Sequence, residues 1–171
     1  IFSILLILAL AIAFYAYRTA FYMPNRPEDE LYRLPPGMTK DNMGPAIEKS
    51  VNTMLERSFE AITITSFDGR KLYARYYHSA EGAPVQILFH GYKSSPYIDC
   101  SGGTYLALQL DHNALVVDQR SHGKSEGNTI TFGVLERKDC LCWINYANQR
   151  FGMNTKIILC GLSMGAATVL M

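Results

Sequence analysis

The chain has 171 residues, of which 49% are hydrophobic and 18% are charged, a composition that fits one globular domain and argues against a disordered chain. Its 16 basic and 15 acidic residues leave a net charge of +1, so charge supports neither a nucleic-acid partner nor a cationic one. The sequence begins without methionine, and Met171 interrupts an apolar helical pattern. We therefore expect a fragment of a longer polypeptide.

The first segment is almost entirely apolar. In "IFSILLILALAIAFYAY" only Ser3 is polar, and the first charge is Arg18. Seventeen helical residues cover roughly 25 Å, close to the ~30 Å hydrocarbon core of a bilayer. An aromatic cluster then lies where an interfacial belt is expected: Tyr15, Tyr17, Phe21 and Tyr22. We predict a single-pass membrane anchor over residues 1–22; the alternatives are a cleaved signal peptide and a buried core helix.

Residues 23–37, "MPNRPEDELYRLPPG", are rich in proline and charge, which predicts an extended linker between the membrane and a domain over residues 38–171. The domain is expected to begin with an amphipathic helix that starts near Gly44 and Pro45. Its apolar positions recur at spacings of three and four residues: Met43, Ile47, Val51 and Met54.

From Glu60 the pattern changes to alternation. β-branched and aromatic residues flank Asp68-Gly69, which predicts an antiparallel hairpin. Three apolar runs follow, "VQILF", "ALVVD" and "KIILC", separated by the helical patterns "GGTYLALQLDHN" and a longer one from about Gly133. The longer helix places one apolar stripe at Cys140, Ile144, Ala147 and Phe151, with Glu136 and Asp139 in its acidic first turn. We predict an α/β domain with a mostly parallel sheet, antiparallel first strands and helices on both faces.

The four cysteines give no metal-binding pattern. Cys100, Cys140, Cys142 and Cys160 lack CxxC spacing and have no companion histidine spacing for zinc. Cys140 and Cys142 point to nearly opposite faces of a predicted helix, so they cannot easily share an ion. We expect buried small side chains, and no metal or organic cofactor.

"GLSMG" is the segment most indicative of chemistry. Gly161, Ser163 and Gly165 fit G-x-S-x-G between the apolar run "KIILC" and the helical start "AATVL". In a strand-turn-helix elbow, the two glycines allow neighbouring backbone to pass closely and the serine hydroxyl is raised out of the sheet. The N–H of Met164 and the helix dipole then favour an oxyanion beside Ser163. The alternative is a glycine-rich turn with an incidental serine.

"LFHGYKSS" ends the strand "VQILF" at the edge where parallel sheets place their sites. Gly91 permits a tight turn, so that the N–H of Tyr92 can face a developing oxyanion together with the N–H of Met164. For the side chain of His90 we favour a structural role, tied to backbone near the turn.

"DQRSHGKSEG" contains Gly123-Lys124-Ser125 but lacks the glycine that a phosphate loop requires five residues earlier, where Asp118 stands. Asp118 and His122 could instead complete a triad with Ser163. We favour a turn tied by polar side chains, because an aspartate four residues before its histidine cannot easily reach the far ring nitrogen while the near one faces the serine.

Together "HGYKSS", "DQRSHGKSEG", "TFGVLERKD" and "GLSMGAA" resemble the α/β-hydrolase family, and more narrowly its bacterial membrane-anchored members related to serine aminopeptidase-like and dienelactone hydrolase-like proteins. The resemblance runs from about Phe59 to Met171. It implies that Ser163 is the nucleophile and that the backbone N–H groups of Tyr92 and Met164 form the oxyanion hole.

The same resemblance makes the segment with Asp118, Arg120, His122 and Gly123 a structural loop. It also implies that the strand before Ser163 neighbours the strand ending at His90, with the strand ending at Asp118 beyond it. Ser121 departs from the family, which commonly has glycine there, so the shape of this loop can differ. The family's chain order places the catalytic acid and histidine after the serine, so we expect both after Met171 and a fold truncated after the elbow.

We therefore expect a membrane-anchored serine hydrolase that cleaves an ester, thioester or amide of a small-molecule, peptide or acyl substrate through an acyl-enzyme. The resemblance favours a domain outside the cytoplasm. One alternative is a non-catalytic, membrane-anchored binding module that keeps the same fold. Acyl transfer to an acceptor other than water would use the same residues.

Overall fold

The computed structural model describes residues 2–24, 27, 30–31 and 44–171. Its strands are β1 (Glu60–Thr65), β2 (Lys71–Tyr77), β3 (Val85–Phe89), β4 (Asn113–Asp118) and β5 (Ile157–Gly161). Its helices are α1 (Phe2–Ala20), α2 (Gly44–Glu56), α3 (Pro96–Asp99), α4 (Ser101–Gln109), α5 (Glu136–Phe151) and α6 (Met164–Leu170). The short helix α3 was not predicted from the sequence.

The five strands form one mixed sheet in the order β1-β2-β4-β3-β5. β1 pairs antiparallel with β2, and β2 with β4, whereas β3 lies parallel to both β4 and β5. The predicted hairpin at Asp68-Gly69 is confirmed, and Gly69 has a positive φ of 86° that its turn requires. The expected order of the last three strands is also confirmed, which brings the ends of β3 and β5 side by side.

Strands β3 and β4, inside the sheet, are buried on both faces, and their alternate residues enter different cores. Leu115 and Val117 of β4 join the core that α5 covers, whereas Ala114 and Val116 join the core beneath α2, α3 and α4. The predicted arrangement of helices on both faces is confirmed. Because β3 and β4 bury side chains on both faces, both strands are mostly apolar. A shift of one residue in their pairing would move every side chain to the opposite face, so this burial fixes their register.

Helix α5 begins later than predicted. Gly133 has a φ of +101°, which a right-handed helix cannot include, so the helix begins at Glu136. The Glu136 side chain is buried and accepts hydrogen bonds from the backbone N–H groups of Thr131 (2.8 Å) and Gly133 (2.8 Å). Trp143, which the predicted stripe omitted, is fully buried in the core beneath this helix.

The described part of α2 packs as expected, since Val51 and Met54 are buried on the α4 side of the sheet. Met43 and residues 38–42 lie outside the described residues, as does most of the predicted linker. Two linker residues that are described, Met23 and Leu31, are buried against the domain.

Helix α1 has no buried residue along its length. Among the described residues it is the one helix long and apolar enough to cross a membrane, and a signal sequence near the N-terminus would meet the same criteria.

Candidate active site

Ser163 lies in the sharp turn between β5 and α6. Its backbone has φ +52° and ψ −115°, and its side chain makes no capping hydrogen bond to the helix. A non-glycine residue in this conformation is strained and persists only where its surroundings hold it. The residue is exposed while Met164 and Gly165 beside it are buried, so the turn raises the hydroxyl out of the packed sheet.

Gly161 and Gly165 are required on either side of Ser163, because other backbone atoms occupy the space that a Cβ atom at either position would need. A Cβ atom on Gly161 would lie 2.2 Å from the carbonyl oxygen of Gly165, and a Cβ atom on Gly165 would lie 2.1 Å from the carbonyl oxygen of Phe89. The N–H of Leu162 also donates to this Phe89 oxygen at 3.1 Å. The end of β3 and the elbow are therefore locked together by direct backbone contact.

The loop after β3 places Gly91 beside Ser163. A Cβ atom on Gly91 would lie 3.4 Å from the Ser163 Cβ. The N–H of Gly91 donates to Asp99 Oδ2 at 2.7 Å, a contact that fixes this loop and that no sequence motif indicated. Within the part of the chain that the structure describes, no group accepts a hydrogen bond from the backbone N–H of Tyr92 or of Met164. Met164 follows Ser163 directly, and Tyr92 follows Gly91, the residue beside Ser163.

His90 is fully buried, and both of its ring nitrogens are engaged by backbone. Nδ1 donates to the carbonyl oxygen of Gly91 at 2.9 Å, and Nε2 accepts from the N–H of Gln119 at 3.2 Å. Burial lowers the pKa of this imidazole to about 4. A neutral ring held at both nitrogens supports the loop that carries Gly91 and is not placed to accept the proton of Ser163.

Protonation of His90 is expected to destabilise the fold at low pH. Its pKa falls from 6.5 to about 4 on folding, so the unfolded chain binds the proton more readily. The stabilising contribution is complete above pH 6.5 and is lost as the pH falls towards 4, by about 3 kcal/mol in total. Urea unfolding at pH 7 and pH 4.5 should show a smaller loss for His90→Asn than for the wild type. Equal losses would contradict this assignment.

The loop after β4 is built around the buried carboxylate of Asp118. Arg75 Nη1 donates to Asp118 Oδ1 at 2.8 Å, and the N–H of Lys124 donates to Oδ2 at 2.9 Å. Gly123 passes so close that a Cβ atom there would lie 2.3 Å from Asp118 Oδ2. Both carboxylate oxygens therefore have structural partners, which is the arrangement expected of a turn tied by polar side chains.

Arg120 and His122 extend this structural loop. Arg120 Nε and Nη2 donate to the two carboxylate oxygens of Asp139 at 2.6 and 2.8 Å, and Arg120 Nη1 donates to Asp68 at 3.1 Å. His122 Nδ1 donates to the carbonyl oxygen of Arg120 at 2.9 Å. Arg120 thus joins the β1–β2 turn to α5. Asp139 lies in the first turn of α5 as predicted, and its pairing with Arg120 is an additional role that the sequence did not indicate.

Ser121 adopts the left-handed conformation, with φ +67°, at the position where the family commonly has glycine. Its hydroxyl donates to the carbonyl oxygen of Thr129 at 2.9 Å and accepts from the N–H of Thr129 at 2.9 Å. These two hydrogen bonds offset the cost of a non-glycine residue in this region. The loop keeps the glycine-type backbone despite the departure.

The two remaining histidines bond elsewhere. His78 Nδ1 lies 3.3 Å from the hydroxyl of Tyr76, and His112 Nδ1 lies 2.9 Å from the side-chain nitrogen of Gln86. Neither contact involves Ser163. The described residues therefore include an exposed serine in a strained turn, and the hydrogen bonds described above for the four histidines are made to other groups.

No protein-family model matches this sequence. Solved structures similar to the chain are α/β hydrolases and esterases. The esterase Pf2001 of Pyrococcus furiosus shares 27% identity with a TM-score of 0.63, over 69% of this chain and 47% of that one. Esterase Est1E of Butyrivibrio proteoclasticus, with ferulic acid bound, shares 24% identity with a TM-score of 0.54, over 64% and 45%.

The α/β hydrolase GrgF of Penicillium shares 17% identity with a TM-score of 0.58, over 67% of this chain and 40% of that one. The chain thus spans between 40% and 47% of the length of these three solved structures. The mixed sheet, the helices on both faces and these similarities show an α/β-hydrolase-type fold.

Proposed function

We propose that the protein is a serine hydrolase that cleaves an ester, thioester or amide through an acyl-enzyme on Ser163. The observation that carries the proposal is the exposed Ser163 in a strained elbow, next to Gly91. Among the described residues, no acceptor takes a hydrogen bond from the backbone N–H of Met164, which follows Ser163, or of Tyr92, which follows Gly91. Groups that are preorganised around the position of a developing charge are the main requirement of acyl transfer.

In this mechanism the Ser163 hydroxyl oxygen attacks the carbonyl carbon while a base takes its proton. The carbonyl oxygen becomes an oxyanion that accepts hydrogen bonds from the N–H groups of Tyr92 and Met164. Collapse of this intermediate expels the alcohol, thiol or amine, which receives the proton from the base. Water then attacks the acyl-enzyme by the same steps, releasing the acid and restoring Ser163.

The base is proposed to come from outside residues 1–171. His90 is held at both ring nitrogens, and His78 and His112 bond to Tyr76 and Gln86. The similar solved structures are about twice as long as the matched region, which leaves room for a histidine and an acid. A binding module is less favoured, because the serine and both N–H donors are retained.

We further propose that residues 1–22 anchor the protein in a membrane, that residues 23–37 connect this anchor to the domain, and that the domain lies outside the cytoplasm. The length and exposure of α1 support the first of these.

A fluorophosphonate probe applied to the full-length protein should attach one label per chain, because it phosphonylates an activated serine. Ser163→Ala should abolish the label. Ser58→Ala is the matched control, since Ser58 is also exposed but lies in the segment between α2 and β1. It should keep full labelling. Undiminished labelling of Ser163→Ala would overturn the proposal.

A further inference from the structure

The C-terminal end of α1 is bound by the loop that carries the oxyanion donor. The Tyr92 hydroxyl donates to the carbonyl oxygen of Ala20 at 2.8 Å, and Lys93 Nζ donates to the carbonyl oxygen of Thr19 at 2.7 Å. The last carbonyl groups of a helix lack partners within the helix, so these two side chains satisfy them. Lys93 also complements the negative end of the helix dipole.

A second set of contacts attaches the residues after α1 to the loop after β4. The N–H of Met23 donates to the carbonyl oxygen of Asn128 at 2.9 Å, and the N–H of Ile130 donates to that of Phe21 at 2.8 Å. The side chain of Met23 is buried against Ile130 and Met164, the residue next to Ser163. The end of α1 is therefore joined to both sides of the candidate site.

This attachment fixes the distance between Ser163 and the end of α1. Tyr92 follows Gly91, which lies against Ser163, and the Tyr92 hydroxyl reaches the last residue of α1. Ser163 is thus separated from the end of the helix by little more than one tyrosine side chain. If α1 crosses the membrane, its nineteen residues cover about 28 Å, so its end lies at the interface between lipid and water.

A row of aromatic rings continues from α1 to the site. Ring centroids lie 6.2 Å apart for Tyr17 and Phe21, 5.7 Å for Phe21 and Phe132, and 5.0 Å for Phe132 and Tyr92. Each of these four residues keeps 37–41% of its surface exposed. Partly exposed tyrosine and phenylalanine side chains at one level are typical of a membrane interface.

An apolar cleft of about 400 Å³ borders the elbow and lies between α2 and the α3–α4 segment. Its apolar lining includes Ala46, Ile47, Ile98 and Leu162, the residue that precedes Ser163. The volume is within the range of small-molecule sites. Because the cleft reaches Leu162, an acyl chain bound in it would lie next to the turn that carries Ser163.

Resting on the proposed hydrolase function, we propose that α1 holds the entrance of the active site at the membrane interface and that the substrate is an acyl ester of a membrane lipid. The ester groups of such lipids lie at the interface, the depth at which the end of α1 places Ser163. The acyl chain moves from the bilayer into the cleft, past the exposed aromatic row, without crossing water.

The test separates the site from the membrane without changing the site. An eight-residue Gly/Ser segment inserted between Ala20 and Phe21 allows the domain to move about 15 Å away from α1. The full-length protein is reconstituted into phosphatidylcholine vesicles that contain a fluorogenic phospholipid, and its hydrolysis is compared with that of p-nitrophenyl butyrate in solution. The matched control inserts the same segment between Glu81 and Gly82, in an exposed turn between β2 and β3.

The insertion after Ala20 should lower phospholipid hydrolysis at least tenfold and leave hydrolysis of p-nitrophenyl butyrate within twofold, whereas the control insertion should change neither. Unchanged phospholipid hydrolysis, or an equal fall in both activities, overturns the inference. So does a wild-type protein that hydrolyses only the soluble ester, although the proposed function then stands. If neither substrate is hydrolysed in a Ser163-dependent manner, the proposed function fails as well.

Discussion

Gly165→Ala is expected to lower the free energy of unfolding by about 3 kcal/mol and to remove the proposed hydrolytic activity. The new Cβ atom would lie 2.1 Å from the carbonyl oxygen of Phe89 and 2.8 Å from that of His90. Both contacts are with backbone at the end of β3, which cannot rotate away as a side chain can. Relief requires β3 and the elbow to separate, and this would move Ser163 away from the Tyr92 N–H.

Urea unfolding of the two proteins checks this expectation, with the midpoint read by circular dichroism. Gly102→Ala is the matched control, because Gly102 lies exposed in α4 and a Cβ atom there would meet nothing within 4 Å. Alanine in a helix is favoured over glycine by about 0.5–1 kcal/mol, so the control should unfold at equal or higher urea. An unchanged midpoint for Gly165→Ala would show that the elbow is not packed as described.

Arg75→Met is expected to destabilise the protein by about 3–5 kcal/mol. The guanidinium of Arg75 and the carboxylate of Asp118 are both fully buried and lie 2.8 Å apart. Burial alone would lower the pKa of Arg75, but Asp118 holds it above the ordinary value. Removing the cation leaves an uncompensated carboxylate inside the protein, and this is the costly part of breaking such a pair.

Arg150→Met provides the comparison, because Arg150 pairs with Glu60 at the surface, where the two side chains are 28% and 55% exposed. Exposed pairs contribute about 0–1 kcal/mol, so this variant should unfold close to the wild type. A double variant, Arg75→Met with Asp118→Leu, should recover part of the lost stability. Equal destabilisation by Arg75→Met and Arg150→Met would contradict the role given to the buried pair.

The strands and the elbow could be predicted because their causes are local. Continuous apolar runs such as "ALVVD" are required of strands that are buried on both faces, and Asp68-Gly69 suits the turn that joins β1 to β2. Glycines on either side of Ser163 indicated close backbone approach, and the contacts of Gly161 and Gly165 have this character. Each of these features depends on a few neighbouring residues.

Other features could not be predicted because they depend on residues far apart in the chain. Asp139 lies in the first turn of α5 as predicted, but its ion pair with Arg120 from the loop after β4 could not be predicted. Nothing in the sequence near Gly91 indicates that Asp99 accepts its N–H. Similarly, the apolar segment predicted α1 but not the contact of its last residues with Tyr92. These partners come together only in the folded protein, so no local sequence pattern predicts their contacts.

A structure of the full-length protein after reaction with a fluorophosphonate would show directly whether Ser163 is the nucleophile. We expect a phosphonyl group bonded to the Oγ atom of Ser163. One of its oxygens should lie about 2.7–3.1 Å from the backbone nitrogens of both Tyr92 and Met164. A phosphonyl group on another side chain would show that Ser163 is not the nucleophile, and an oxygen directed away from these two N–H groups would show that they do not form the oxyanion hole.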